Sequence, residues 1–350
     1  MSESPGESAP LDPKLLGGSH RMRKGSSVAA FASITAAAVL LSACAGGGGN
    51  VVAASRPQSG LSPTGIANFH GFRGAPASVH PAIHQRKVGP KVLFVDDLIA
   101  NQVEIFANMG FTSDGSITQS IDGPDGNWVD KSGNLYVANY KAANISEYAP
   151  GASGPTFTYA SGMLDPVAVT TDRQGNVYEA DFTGNYVNEY NQGADAVVAT
   201  CILGGSVEGV AVDATGDVFV DYYTGSLGEI TEFVGGLSGC VGTVLGVTVG
   251  YPGGMVLDRN AYLIVCDQTA PAVDVIKPPY GNVNFQLGLG WKQPFHATIS
   301  RATKEIYVAD AGAADVQVLK YPSGANVTTL NSANGITLPM AAVDGENFTP

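Results

Sequence analysis

Residues 123 to 139 read Gly-Pro-Asp-Gly-Asn-Trp-Val-Asp-Lys-Ser-Gly-Asn-Leu-Tyr-Val-Ala-Asn, and recognisable copies of this segment recur towards the end of the chain. A proline column through the copies advances by 42, 41, 45, 42 and 45 residues. Its members are Pro124, Pro166, Val207, Pro252, Pro294 and Pro339. A period in the low forties, with several short β-rich segments in each unit, is typical of radially repeated four-stranded blades.

Two further columns of apolar residues keep the register of the proline column. The first column is Phe94, Tyr136, Tyr178, Phe219, Ile264 and Tyr307. The second column is Phe106, Tyr148, Tyr190, Phe233, Ile276 and Leu319. Around them, β-branched or alternating runs are separated by Gly, Asp and Asn, the pattern of short strands joined by turns. The sequence therefore predicts an all-β protein with six four-stranded blades.

The two ends of the repeat array complement each other. Residues 91 to 97 match the second strand of a unit, and no first strand precedes them. Residues 338 to 344 match only a first strand. An open ring would leave two unpaired strand edges, so we expect the C-terminal segment to complete the first blade. The predicted propeller spans residues 91 to 344, and residues 345 to 350 form a tail.

The repeating unit Pro-x-Gly-φ-x-φ-Asp-x-x-Gly-Asn-φ-Tyr-Val-Ala-Asp, clearest at residues 124 to 139 and 207 to 221, resembles the NHL repeat. The blades also look like those of the senescence-marker/gluconolactonase and streptogramin-lyase families. This resemblance covers residues 91 to 344 and implies a six-bladed propeller. It does not specify a function, because the scaffold hosts enzymes, sugar and peptide binders, and assembly modules.

The N-terminal region has the features of an exported protein. A basic cluster at residues 21 to 24 precedes an apolar run from 26 to 41, which is short for a spanning helix and typical of a secretion signal. The ending Leu41-Ser-Ala-Cys44 resembles a bacterial lipoprotein box, which implies cleavage before Cys44 and lipidation of its sulfur. The alternative is an uncleaved membrane anchor. Residues 1 to 20 match no part of a signal, so Met22 is an alternative start of translation.

The rest of the N-terminal region predicts a tether. Residues 44 to 90 are rich in Gly, Ser, Pro and Ala and show no periodic segment, so we expect a lipidated Cys44 followed by a flexible linker. The formal charge of the chain is −13. An acidic surface argues against nucleic acid and anionic membranes as partners and is compatible with cations. The predicted location is outside the cytoplasm, with membrane contact through the lipid anchor only.

Candidate chemistry lies where the units differ. The position two residues after the proline column is expected to be small, because innermost strands crowd towards the axis; it reads Gly126, Ala168, Gly209, Gly254, His296 and Ala341. Only His296 departs from that rule. The preceding position carries Asp125 and Glu208 among apolar residues and glycine. We predict that these three side chains converge on one mouth of the central channel.

The family resemblance suggests two chemistries for this mouth. Gluconolactonase-like propellers hold a divalent cation in the channel, which implies Ca²⁺ ligated by Asp125 and Glu208. The chain departs from that pattern at Val167 and Gly253, where further oxygen ligands would be needed. Streptogramin-lyase-like chemistry needs a general base, and His296 is the only histidine of the array. The alternative for His296 is a hydrogen-bonded plug.

Aromatic residues follow the second strands on loops that are expected to share one face. They are Tyr140, Phe182, Tyr186, Tyr222 and Tyr223. Such a rim suits a carbohydrate or peptide ligand, although half of it could instead pack between blades.

The cysteines after residue 44 leave one question open. Cys201 and Cys240 fall where outer strands of neighbouring units are expected, and an oxidising compartment permits a disulfide there. Their unequal offsets within the two units argue against pairing. Cys266 is expected to be a small buried hydrophobe.

Two function hypotheses follow from the sequence. The first is a monomeric, non-enzymatic, lipid-anchored propeller that binds or scaffolds a protein, peptide or carbohydrate and needs no cofactor. The second is a metal-assisted lactonase, hydrolase or lyase that uses Asp125, Glu208 and His296.

Overall fold

The structure is a computed structural model that describes residues 92–107 and 111–345. This part of the chain contains 24 β-strands, labelled β1 to β24 in chain order, and 3₁₀ turns at Ser238–Cys240 and Ser332–Asn334. Within these residues, no helix is long and apolar enough to cross a bilayer. The predicted signal, the lipidation site Cys44 and the linker lie outside the described residues.

The strands form six antiparallel four-stranded sheets, and each sheet is one blade. The innermost strands of blades 1 to 6 are β24 (Pro339–Asp344), β4 (Pro124–Val129), β8 (Pro166–Thr171), β12 (Ser206–Val212), β16 (Pro252–Leu257) and β20 (Pro294–Ile299). The second strands are β1 (Val92–Asp97), β5 (Leu135–Asn139), β9 (Val177–Asp181), β13 (Val218–Tyr223), β17 (Leu263–Asp267) and β21 (Glu305–Asp310).

The third and outer strands complete each blade in the same order. The third strands are β2 (Gln102–Ala107), β6 (Asn144–Tyr148), β10 (Tyr186–Tyr190), β14 (Gly228–Phe233), β18 (Ala272–Ile276) and β22 (Asp315–Lys320). The outer strands are β3 (Thr112–Ile117), β7 (Phe157–Tyr159), β11 (Val197–Ile202), β15 (Thr243–Val244), β19 (Val283–Gln286) and β23 (Ala325–Leu330). Below, the start face is the face on which the innermost strands begin, and the end face is the face on which they end.

The ring is closed by chain from both ends. Strand β24 pairs antiparallel with β1, which places Leu93 opposite Asp344. The Thr298 hydroxyl of blade 6 donates a hydrogen bond to the Ala342 carbonyl at 2.6 Å, and the Tyr307 hydroxyl donates to the Asp344 carboxylate at 3.1 Å. These contacts confirm the predicted six-bladed propeller and its closure by the C-terminal strand.

The repeated residues do the structural work that their spacing predicts. Both apolar columns are buried. At the turn after β4, Asp130 accepts hydrogen bonds from the amides of Ser132 and Asn134 at 2.8 and 2.9 Å, and Gly133 adopts a φ of +85°. Asp carboxylates commonly bond their own turn in this way, and glycine adopts positive φ without strain.

The structure answers the question that the cysteines left open. Cys201 on β11 and Cys240 form a disulfide between blades 3 and 4, with 5.3 Å between their Cα atoms. Cys240 lies on the 3₁₀ turn before β15 rather than on an outer strand, because the outer strand of blade 4 is only two residues long. Cys266 is free and fully buried, as expected, and burial raises the pKa of its thiol.

Candidate functional site

A β-bulge at the start of the innermost strands shapes the start-face mouth of the channel. In blade 2, Pro124 pairs with Asn139 and Gly126 with Ala138, so Asp125 is the extra residue. The same shift brackets Glu208 in blade 4 and Phe295 in blade 6. Bulges redirect one side chain and increase the local twist, which explains why the unit-specific residues lie at this position. Proline is tolerated beside the bulge because it is the first residue of the strand.

The small-residue column is required by close contact between innermost strands. A Cβ on Gly126 would lie 2.4 Å from the Val167 carbonyl oxygen and 2.9 Å from the Ala168 Cα atom. Such distances are shorter than any real Cβ contact, so neighbouring backbones would have to move. The sequence prediction that crowding keeps this column small is confirmed.

His296 occupies the volume that Gly254 leaves empty. A Cβ on Gly254 would lie 2.1 to 2.3 Å from three atoms of the imidazole ring. The ring is only 6% exposed, and neither nitrogen has a hydrogen-bond partner among the described residues. Burial lowers the pKa of His296 to about 4, so the ring is neutral at pH 7. His296 is therefore a neutral imidazole without hydrogen bonds to the described residues. The alternative that His296 is a hydrogen-bonded plug of the channel requires hydrogen bonds that are not formed within the described chain.

Asp125 and Glu208 lie in different surroundings. Both are buried. Asp125 lies close enough to Asp96 of blade 1 for its charge to raise the pKa of Asp96. Glu208 accepts a hydrogen bond from the Tyr251 hydroxyl of blade 5 at 2.6 Å. Blade 3 separates the two carboxylates and contributes the apolar Val167 at the same position.

Two buried carboxylates of the mouth are absent from the sequence prediction, Asp96 and Asp221. Each stands opposite the small-residue column, on the second strand of its blade, at the position that Ala138 fills in blade 2. Asp96 accepts a hydrogen bond from the Asn127 amide at 2.8 Å. An alignment of the second strands could have revealed both residues, because each places an aspartate where blade 2 has Ala138.

Burial dominates the electrostatics of these two carboxylates. It raises the pKa of Asp96 well above its ordinary value, the bond from Asn127 offsets part of the rise, and the nearby Asp125 adds to it. Burial likewise raises the pKa of Asp221, and Glu208 adds to that rise. The mouth therefore has an affinity for protons or cations on the two opposite sides formed by blades 1 and 4.

A buried apolar cluster from blades 1 and 6 forms another part of the mouth, and the channel below it is narrow. Leu98, Phe295, Leu338 and Met340 form one buried cluster with Ala311. Residues from five innermost strands line a cavity of about 10 Å³, which is room for about one water molecule. Its polar lining comes from Asn127, Thr170, His296 and Thr298.

The predicted aromatic rim is only partly a surface. Phe182 and Tyr222 are 8% and 3% exposed and belong to the core between blades, because their rings fill space beside the second strands. Tyr140, Tyr186 and Tyr223 are half-buried. The ring of Tyr223 packs on that of Tyr251 at 4.5 Å between centroids, which places an aromatic pair beside Glu208.

The candidate metal ligands do not gather into one site. Within the described residues, no group of three or more His, Cys, Asp or Glu side chains is arranged to hold a metal ion. The structure brings Asp125 next to Asp96 and Asn127, and it brings Glu208 next to Asp221. A cation at the mouth would therefore use one of these two pairs with backbone or water oxygens.

Comparison with known proteins identifies similar folds. The structure of a nidogen/laminin complex matches with a TM-score of 0.62 and 14% identity over 73% of this chain and 98% of that chain. A protein of unknown function from Bacteroides caccae matches with a TM-score of 0.58 and 13% identity over 73% of this chain and 99% of that one. The shared feature is the six-bladed propeller.

A streptogramin B lyase structure also matches, with a TM-score of 0.47 and 12% identity over 69% of this chain and 73% of that chain. No family model and no curated protein matches the sequence. At these identities the likeness is one of fold alone.

Proposed function

We propose that the protein is a non-enzymatic binding module, lipid-anchored outside the cytoplasm, whose propeller engages a protein, peptide or carbohydrate at its start face. The observation that carries this proposal is the filled channel. His296, Asp125 and Glu208 are buried, and the cavity beneath them has room for about one water molecule. An organic substrate would have to displace the groups that cover these residues, whereas the half-buried Tyr140 and Tyr223 form part of the surface.

The catalytic alternative is tested by activity. We expect the full-length protein to hydrolyse D-glucono-lactone no faster, with or without Ca²⁺, than a variant carrying Asp125→Asn and His296→Gln. Turnover that exceeds the uncatalysed rate and disappears in this variant would refute the non-enzymatic proposal.

The binding face is tested with an array of peptides and glycans. We expect Tyr140→Ala combined with Tyr223→Ala to abolish binding of ligands that the unmodified protein retains. The matched control is Tyr262→Ala, since Tyr262 is also a half-buried aromatic residue but follows a turn of the end face. Equal loss in both variants, or retention in both, would place the ligand elsewhere.

Lipid anchoring is a separate part of the proposal and is tested by metabolic labelling with a fatty acid. Cys44→Ser should give a protein without label that partitions into the aqueous phase of a detergent extract. A labelled Cys44→Ser protein would show that Cys44 is not the attachment site.

A second candidate function, calcium-assisted hydrolysis, is favoured by one observation. Asp96, Asp125 and Asn127 bring oxygen atoms from blades 1 and 2 together, and oxygen is the ligand that Ca²⁺ prefers. This candidate predicts that Ca²⁺ raises the melting temperature of the full-length protein and that Asp96→Asn removes the rise. An unchanged melting temperature at millimolar Ca²⁺ would exclude it.

A further inference from the structure

The turns that leave the innermost strands on the end face carry a set of cations. The first exposed residue of this turn is basic in blades 2, 3, 5 and 6; these residues are Lys131, Arg173, Arg259 and Arg301. We call them the basic ring. They are four of the nine Lys and Arg residues in the described part of a chain whose formal charge is −13.

Hydrogen bonds hold the basic ring around the end-face mouth of the channel. The Arg259 guanidinium donates to the backbone carbonyl of Arg301, and the Lys131 ammonium donates to that of Arg173. The Arg301 guanidinium donates to the Lys131 carbonyl at 3.4 Å, which links blade 6 to blade 2 past blade 1. The charged groups of Lys131, Arg259 and Arg301 therefore lie against the next member of the ring instead of extending outwards from their own blades.

Three members of the basic ring directly follow an aspartate that bonds its own turn. Asp130, Asp172 and Asp258 are buried. Their carboxylates accept hydrogen bonds from amides of their own turns, such as the Asn176 amide to Asp172 and the Tyr262 amide to Asp258, at 2.9 and 2.8 Å. The exposed residue of each turn is therefore the cation, while the carboxylate is bonded by the turn itself and, for Asp258, also by the Tyr321 hydroxyl of blade 6 at 2.8 Å.

We propose that the basic ring binds a phosphate group. An arginine guanidinium has five donors and a lysine ammonium has three, and all of them can bond anionic oxygens. Guanidinium groups match the geometry of phosphate oxygens, and charge-assisted hydrogen bonds of this kind are about twice as strong as neutral ones. Four cations around one opening also focus the local potential, although the whole protein repels anions. The phosphate can belong to a soluble ester or to a lipid headgroup.

Binding is measured with the full-length protein carrying Cys44→Ser in every sample, so that no acyl chain contributes. The probes are pyrophosphate, by calorimetry, and vesicles of phosphatidylglycerol or phosphatidylcholine, by sedimentation. We expect Lys131→Gln combined with Arg301→Gln to weaken binding at least about tenfold at an ionic strength of about 0.01 M, where the Debye length is about 30 Å. The effect should shrink at about 0.15 M salt, where the Debye length is about 8 Å.

The control variant is Lys292→Gln with Lys320→Gln, which removes the same charge from exposed positions outside the ring. It should bind within about twofold of the parent. Arg301→Lys should bind more tightly than Arg301→Gln, since it keeps the charge, and less tightly than the parent, since it loses the planar guanidinium. Ring-dependent binding of pyrophosphate alone identifies a soluble ligand, and ring-dependent binding of phosphatidylglycerol vesicles identifies a lipid. The proposal is overturned if the parent binds neither probe, or if the control loses as much affinity as the ring variant while both melt at the parent temperature.

The basic ring lies on the face opposite to Asp125 and Glu208, so this inference does not depend on the proposed start-face function.

Discussion

At the scale of single residues, the start-face mouth depends on pairs of residues that fit one another. His296 fits only because Gly254 has no side chain, and the two residues come from adjacent blades. The imidazole replaces the small residue found at the same position in the other blades. A buried polar ring without hydrogen bonds destabilises the fold, and protonating it in place would destabilise the fold further.

The pH dependence of stability should report this cost. The folded pKa of His296, about 4, lies below the unfolded value of about 6.5, so its contribution to stability is complete above pH 6.5 and is lost as the pH falls towards 4. The variant His296→Phe keeps a ring of similar size. We expect the difference in free energy of unfolding between this variant and the parent to favour the variant by about 2 kcal/mol more at pH 5 than at pH 7. Urea unfolding at the two pH values measures this difference, and an equal difference at both would show that the ring is solvated.

Asp221 should show the opposite dependence. Burial raises its pKa, so the cost of its charge is absent below the unfolded value near 3.9 and grows as the pH rises through the folded value. Asp221→Asn should therefore stabilise the protein at pH 7 and have little effect at pH 4. Thermal melts at the two pH values test this, with Asp122→Asn as the control at an exposed position. Destabilisation by Asp221→Asn at pH 7 would indicate that the charge is bound to a cation.

At the scale of elements, the last residue of the second strand anchors the loop that leads into the innermost strand in blades 1, 2, 3, 5 and 6. Asp267 accepts hydrogen bonds from the amides of Gly250 and Thr269 at 2.6 and 2.9 Å. Asn139 accepts from the Asp122 amide at 3.1 Å in blade 2, which shows that an amide oxygen can serve at the same position. The bulge and the small residue follow this anchor, so the loop fixes where the unit-specific side chains point.

Substitution of Asp267 separates the carboxylate's hydrogen bonds from its charge. Asp267→Ala leaves several loop amides without a partner and should cost at least about 3 kcal/mol, at about 1 to 3 kcal/mol for each unsatisfied group. Asp267→Asn should cost less than half as much, since it keeps one acceptor. Urea unfolding measures both, and equal losses would indicate that charge rather than hydrogen bonding matters at this position.

The disulfide joins two elements that the repeat itself does not hold together. Strand β15 pairs with β14 at only two positions, and Cys240 anchors the preceding turn to β11. Closing a loop between residues 39 apart should stabilise the fold by about 2 to 4 kcal/mol. We expect Cys201→Ser with Cys240→Ser to lower the melting temperature under oxidising conditions and to make it insensitive to reductant. A parent protein that is equally insensitive would show that the bond is not formed.

At the scale of the whole molecule, the ring is closed by residues at the two ends of the described chain. Met340, Ala341, Ala342 and Val343 of β24 are at most 1% exposed, although they follow all the other strands in sequence. Without β24, the second strand of blade 1 would lose its inner partner and blades 6 and 2 would lose their contact with blade 1. Propeller stability is therefore cooperative around the ring.

Truncation tests this closure directly. Removal of residues 339–350 should abolish cooperative thermal unfolding or lower the melting temperature by tens of degrees, because it exposes the edge of β1. Removal of residues 346–350 alone is the matched control and should leave the melting temperature unchanged. A long truncation that melts like the parent would contradict a ring closed by β24.

The sequence by itself determined the repeat, the number of blades, the strand order within each blade and the closure, because a period in the low forties leaves few ways to satisfy every strand edge. It also located His296, Asp125 and Glu208 near one mouth, since all three break a column. Only the tertiary structure decided which side chains meet across blades: His296 with Gly254, Asp96 with Asn127, Glu208 with Tyr251, and the four cations of the basic ring. These contacts depend on how far each blade twists and where each bulge turns a side chain, and the spacing of residues along the chain does not encode either quantity.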